Sequence, residues 1–303
     1  MFAFAVALSL CQSAAVAGQS AQEPVALQDV YVSGEDGYHT YRIPSIVRGK
    51  GGELLAFAEG RKGSGSDTGD IDLLLKRSLD GGASWSGAQV IWDDGANVCG
   101  NPCAVVDRVT GSVWLLATWN AGSIHESNIA PGHGRDSRRV FVTSSTDGGA
   151  SWTPMTEITA EVKDTAWSWY ATGPGAGIQL GEGEHAGRLV IPCDHKQPGS
   201  KGTHYYSHVV VSDDHGQTWR LGGRSPGPQV NECEVVELHG GRLLLNMRSS
   251  RPQAASAPGV LLRRRWRVLV GPTPRASAAG SHLPGKPAPS PAASGRRAGS
   301  AGF

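Results

Sequence analysis

"SLDGGASW" at Ser78–Trp85 returns as "STDGGASW" at Ser145–Trp152 and as "SDDHGQTW" at Ser212–Trp219. All three fit S-x-D-x-G-x-[ST]-W, and the intervals between Asp80, Asp147 and Asp214 are both 67 residues. The residue types describe a turn. Asp accepts backbone N–H groups within its own turn, Gly takes backbone angles that strain other residues, and Trp packs beneath the loop. Each octet closes an apolar run: "DIDLLLKRS", "RRVFVTSS" and "YYSHVVVS". Further strand-like runs lie between them at Glu53–Glu59, Ser112–Trp119, Arg188–Cys193 and Arg242–Met247. Glycine is abundant, at 42 residues, and no long stretch has a helical period. Several short strands per repeat with one fixed turn predict an all-β fold, a β-propeller. The octets themselves are read as structural, on the rim and away from any chemistry.

Ahead of the first octet stands Tyr41-Arg42-Ile43-Pro44. "FAEGR" (Phe57–Arg61), "SDTGDIDLLLKRS" (Ser66–Ser78), "NPC" (Asn101–Cys103), "TGPGAGIQL" (Thr172–Leu180), "NECEVVEL" (Asn231–Leu238) and "NMRS" (Asn246–Ser249) follow in order. In this combination and order the chain resembles the bacterial retaining exo-α-sialidases (neuraminidases) with Asp-box, or BNR, repeats. The resemblance covers residues 28–250 and implies a six-bladed propeller, of which three boxes account for about four blades. It assigns Arg42 and Arg248 to a clamp on the substrate carboxylate and Arg61 to the site floor. Asp67 becomes the acid/base, and Glu232 the group that activates a tyrosine nucleophile. Asn101 is placed among the substrate-binding residues. Tyr170, Asp194 and His195 are loop positions that either line the site or shape the loops. The third clamp arginine and the tyrosine would fall beyond Arg248, where no counterpart is recognisable. No cofactor is implied.

The chemistry accounts for these residue types. Sialic acid bears a carboxylate on its anomeric carbon, and guanidinium groups bind it in planar, bidentate fashion. A carboxylate nucleophile would be repelled by that charge. A neutral tyrosine deprotonated by a glutamate avoids the repulsion. Asp67 would protonate the leaving oxygen and then deprotonate the attacking water. The expected substrates are sialylated glycoproteins, glycolipids or oligosaccharides. A second reading is a non-catalytic Asp-box propeller that binds glycans or proteins, though such a protein has no need of Arg42, Asp67, Glu232 and Arg248 together. A third is trans-sialidase activity, separated from the first by a sialoside assay with and without lactose.

Charge is unevenly spread. Of 28 basic residues, nine lie beyond residue 250, where there is no Asp or Glu, so the first 250 residues hold 19 basic against 27 acidic. A mildly acidic body does not suggest a nucleic-acid binder. Residues 1–17 read as a signal peptide, with an apolar Phe2–Leu10 and the A-x-A site Ala15-Val16-Ala17, although no Lys or Arg precedes the apolar run. The run is too short to span a bilayer, and a secreted or periplasmic protein is expected. Export leaves Cys99, Cys103, Cys193 and Cys233 open to pairing or to burial as free thiols. Cys99 and Cys103 lack further ligands at zinc spacing, so no metal is expected.

Residues 251–303 turn to Pro, Ala, Ser and Arg, and the reading expected there is a disordered tail. Codons for Leu261–Val270 can be chosen so that reading one nucleotide later gives S-S-D-G-G-G-E-S-W-S, close to a fourth box. The same shift of Gly280–Pro289 permits a segment like one that follows the family's fourth box. The tail is therefore expected to be an out-of-frame product, with a genuine extension as the alternative.

Overall fold

The structure is a computed structural model that describes residues 27–199 and 202–249, and the backbone of 266–272. Blade one is Thr40–Arg48 (β1), Leu54–Arg61 (β2), Ile71–Ser78 (β3) and Gln89–Trp92 (β4). Blade two repeats the order with Val98–Val106 (β5), Val113–Asn120 (β6), Arg139–Ser145 (β7) and Thr156–Glu157 (β8). The inner strand of blade three is broken into Tyr170–Thr172 (β9), Gly175–Ala176 (β10) and Ile178–Gln179 (β11). Leu189–Gly199 (β12), Gly202–Ser212 (β13) and Arg220–Arg224 (β14) complete it. Blade four shows Val230–Leu238 (β15), Arg242–Ser249 (β16) and Trp266–Pro272 (β17). Successive strands within a blade pair antiparallel, whereas β3 and β10 meet β5 in parallel at the blade seams. This is part of a β-propeller, with four blades among the described residues.

β17 corrects one expectation. Trp266–Pro272 falls in the segment read as a disordered tail, yet it runs antiparallel to β16, from Arg242↔Pro272 to Arg248↔Trp266. Without it the outer edge of β16 would offer a row of unpaired N–H and C=O groups. Residues 250–265 and 273–303 lie outside the described residues, and with them the rest of the tail reading. The signal-peptide segment also lies outside them.

The three octets fold alike. Each links the third and fourth strands of its blade. Asp80 Oδ1 accepts from Ser78 Oγ at 2.8 Å and from Ser84 N at 2.9 Å, while Oδ2 accepts from Ser84 Oγ at 2.6 Å. Asp147 repeats this with Ser145 and Ser151, and Asp214 with Ser212 and Thr218. These bonds, Ser84 first, hold the Asp80 carboxyl down at about 2. In the third box His215 takes the left-handed backbone position, at φ 60°, that Gly81 and Gly148 fill in the others.

Apolar residues on both faces of the middle strands explain the unbroken runs in the sequence, because each blade is sandwiched between neighbours. On β6, Val113, Leu115 and Ala117 pack with Leu55, Phe57 and Leu73 of blade one. Leu116, one residue out of phase, packs with Leu189, Ile191 and Trp219 of blade three. Val209 and Val211 of β13 face Val235 and Leu245 of blade four. The four cysteines within the described residues are free and buried in these seams. No helix of the described residues is long and apolar enough to cross a membrane.

Candidate active site

One irregularity recurs at the same place in two inner strands. In β1 the register slips between Arg42↔Glu59 and Ser45↔Phe57, so Ile43-Pro44 opposes one residue of β2. In β5 it slips between Gly100↔Thr118 and Cys103↔Leu116, so Asn101-Pro102 opposes one residue of β6. Ile43 and Asn101 sit at φ 54° and 53°. A β-bulge of this kind re-aims a side chain, and proline fits because the extra residue needs no ladder N–H. β15 slips as well, between Val230 and Cys233, at Asn231 and Glu232.

The three slips converge on a cavity of about 290 Å³. It is lined by all six residues assigned from sequence: Arg42, Arg61, Asp67, Asn101, Glu232 and Arg248. No octet residue lines it. Asp194 reaches it from β12. Tyr170 and His195 do not; Tyr170 packs in the core of the seam between blades two and three, and His195 stacks on Trp167 there.

Several charges in the cavity are paired. Arg42 Nη1 lies 2.9 Å from Asp67 Oδ1, and Arg61 Nη1 2.7 Å from the same oxygen. Arg61 is buried, with Nε and Nη2 on Glu59 Oε2 at 3.0 and 2.6 Å and Nη1 on the carbonyls of Gly65 and Ser66 at 2.8 Å each. Its guanidinium thus ties down the loop that presents Asp67. Lys62 anchors the same loop, 3.0 Å from both Asp70 and Asp72. Asp70, Asp72 and Asp93 approach one another closely enough to suggest a cation site, but Lys62 already supplies the cation. Arg248 Nη1 donates to Glu232 Oε2.

Glu59, Glu126, Arg138, Trp169 and Tyr205 also line the cavity and were not assigned from sequence. Glu59, 2% exposed, joins two blades: Oε2 holds Arg61, and Oε1 accepts from Asn101 N at 2.9 Å. Gly100 is glycine for this reason, since a Cβ there would lie 2.4 Å from Glu59 Oε1. Arg138 and Trp169 stack, the guanidinium carbon 4.1 Å from the ring centroid. Burial lowers the Arg138 pKa to about 10, with Glu59 and Glu126 opposing the shift. Glu126 accepts from Tyr205 OH and lies 2.7 Å from Lys196 Nζ. Tyr205 is the tyrosine that lines the cavity, and its partner is Glu126 rather than Glu232. Burial, then the charges of Glu232 and Glu126, push the Asp194 carboxyl above the usual carboxylate range. "SRRV" held the one local hint: strand alternation turns Arg138 and Arg139 to opposite sides, and Arg139 covers the Trp119 ring at 4.1 Å.

An Asp-box propeller with clustered arginines and acids at one end defines a class, and comparison with known proteins agrees. A BNR repeat-like domain matches residues 52–260. The chain belongs to the BNR-repeat family of sialidases. It is 36% identical over 236 residues to the sialidase of Micromonospora viridifaciens, covering 74% of this chain and 35% of that protein. It is 36% identical over 239 residues to human sialidase-4, covering 72% of this chain and 48% of that protein. Among solved structures, the Hadza microbial sialidase Hz136 superposes with a TM-score of 0.68 at 27% identity, covering 81% of this chain and 48% of that one. The chain spans between a third and a half of these relatives.

Proposed function

We propose that the cavity is the sialic acid site of an exo-α-sialidase, a glycoside hydrolase that releases terminal sialic acids from glycoproteins, glycolipids or oligosaccharides with retention. The observation that supports this best is the meeting of Arg42, Arg248, Asp67 and Glu232 in one cavity from β1, the β2–β3 loop, β15 and β16. Arg42 and Arg248 are partly exposed, and each is paired with an acid that has its own task in the reaction. A substrate carboxylate would take over those guanidinium groups and release Asp67 to protonate the leaving oxygen. In the reaction of such an enzyme Glu232 would act as base toward a tyrosine, giving a covalent intermediate that water opens with Asp67 as base. With no counterpart of that tyrosine or of the third arginine recognisable beyond Arg248, this chain should itself show little or no turnover. On the N-terminal apolar segment we also propose export, checked by sequencing the N-terminus of the mature protein.

The test has two arms. Hydrolysis of a fluorogenic sialoside, with and without lactose, reads the reaction and separates hydrolysis from transfer. Calorimetry with a free sialic acid analogue reads the clamp. Arg42→Ala and Arg248→Ala should each weaken binding about tenfold or more. Equal binding of the analogue and its methyl ester would remove the carboxylate from the explanation. It would favour the non-catalytic glycan- or protein-binding propeller.

A further inference from the structure

Arg138, just ahead of β7, is 2% exposed, yet its guanidinium forms no ion pair among the described residues. Its partners are amides: Nη1 donates to Asn120 Oδ1 and Nη2 to Asn101 Oδ1. Asn101 Oδ1 also accepts from Thr118 Oγ1 at 3.2 Å. The Arg138 donor identifies this atom as the oxygen, because the flipped amide would set N–H against N–H in a buried place, whereas the Thr118 hydroxyl could bond either way. Asn120 is fixed in the same sense, its Nδ2 donating to Ala121 O at 2.9 Å. The Asn101 backbone cannot turn away, since its N–H is held by Glu59 and its carbonyl by Thr172 Oγ1. With its oxygen so occupied, Asn101 has only its NH2 left for the cavity it lines.

We infer that Arg138 is a positioning residue that locks the Asn101 amide with its NH2 toward the cavity, so that this wall selects a ligand bringing an acceptor oxygen. This rests on the reading of the cavity as a site for an acidic sugar, whose hydroxyl, carboxylate and acetamido groups all offer such an oxygen. Lys163 sets the depth of the arrangement. Its buried Nζ donates to Arg138 O, Ser168 O and Ser137 Oγ at 2.6–2.8 Å, joining the segments that present Arg138 and Trp169. Asparagine suits the site twice over, because it also tolerates the left-handed backbone better than most residues.

The test is a double-mutant cycle on the full chain, with 2-deoxy-2,3-didehydro-N-acetylneuraminic acid as probe and calorimetry as readout. Asn101→Ala and Arg138→Met should each weaken binding about tenfold, and Arg138→Met should add less than about twofold in the Asn101→Ala background. A purely structural role for Arg138 predicts the same loss in both backgrounds and would overturn the inference. Asn101→Asp supplies a variant without a folding hazard. It keeps an oxygen for Arg138 and Thr118 and gives the buried cation a counter-charge, but turns an acceptor into the cavity. Its Tm should match or exceed that of the parent while its affinity falls about tenfold; parent-like affinity would refute the inference. If the unmutated chain ignores the probe, the acidic-sugar reading fails. The Tm of Asn101→Asp then decides the orientation separately, a rise supporting it and a fall overturning it.

Discussion

Acid should unfold this protein through a pair of histidines that the site does not use. His195 and His208 are both buried, with their Nδ1 atoms 3.0 Å apart. One of those nitrogens must donate and the other accept, so the accepting ring is neutral and the two rings cannot both be charged. Protonating the accepting ring sets N–H against N–H, and protonating the donating ring puts the new proton on its Nε2. Elsewhere on the rings, His208 Nε2 meets only the neutral Tyr170 hydroxyl, at 3.0 Å, and His195 Nε2 has no hydrogen-bond partner. His195 is stacked between Trp167 and Tyr206. The charged groups that reach the pair, Arg224 for both rings and Lys163 for His195, oppose a positive charge there. Burial, then Arg224, lowers His195 from 6.5 to about 3, and burial lowers His208 in the same direction. Both folded values lie below the unfolded one. Stability is therefore fully present above about pH 6.5 and falls with pH as the unfolded chain takes up protons that the folded chain refuses. Near pH 5, His195 alone costs about 2 kcal/mol, and His208 up to as much again. Against a total stability of roughly 5–15 kcal/mol that is a large fraction. Urea unfolding near pH 7 and near pH 5 measures it, with His195→Phe combined with His208→Met as the control. The control should lose about 2–4 kcal/mol less between the two pH values. An equal loss in both proteins would show that the pair is not what acid attacks.

Lys163→Met should destabilise the protein by about 3–5 kcal/mol, since it leaves buried carbonyls without their donor, and denaturant unfolding checks this. Gly149→Ala should cost about 2 kcal/mol or more in the same assay, because its φ is 80° and a Cβ would lie 2.2 Å from Leu55 Cδ2, with Asp147 untouched. Arg61→Lys keeps the charge but cannot hold Glu59 and the carbonyls of Gly65 and Ser66 together. It should weaken binding of the sialic acid analogue about tenfold by calorimetry, with the Asp67 loop exchanging its amide hydrogens faster.

The octets were legible because everything that makes them is local. Ser, Asp and a second hydroxyl within seven residues close each turn by themselves. Arg42, Asp67, Glu232 and Arg248 were legible because short motifs surround them. Glu59 lay in plain sight within "FAEGR", but its importance comes from Asn101, 42 residues away on another blade. Glu126, Arg138 and Trp169 stand in connecting loops whose sequence has no period, and only closure of the blades brings them to the cavity. The tail was misread at Trp266–Pro272 because composition says little about a strand whose partner is an exposed edge.

The twin slips at Ile43-Pro44 and Asn101-Pro102 divide each inner strand into two phases. On one side of the slip, alternate residues face the seams between blades; across it the alternation restarts, offset by one. Fold and chemistry are thus written on the same strand in separate reading frames of side-chain direction. Substitution at the slip can revise what the cavity holds, as Ile43 in one blade and Asn101 in the next illustrate. Deleting one residue at the slip would merge the two frames and turn the side chains beyond it to the opposite face.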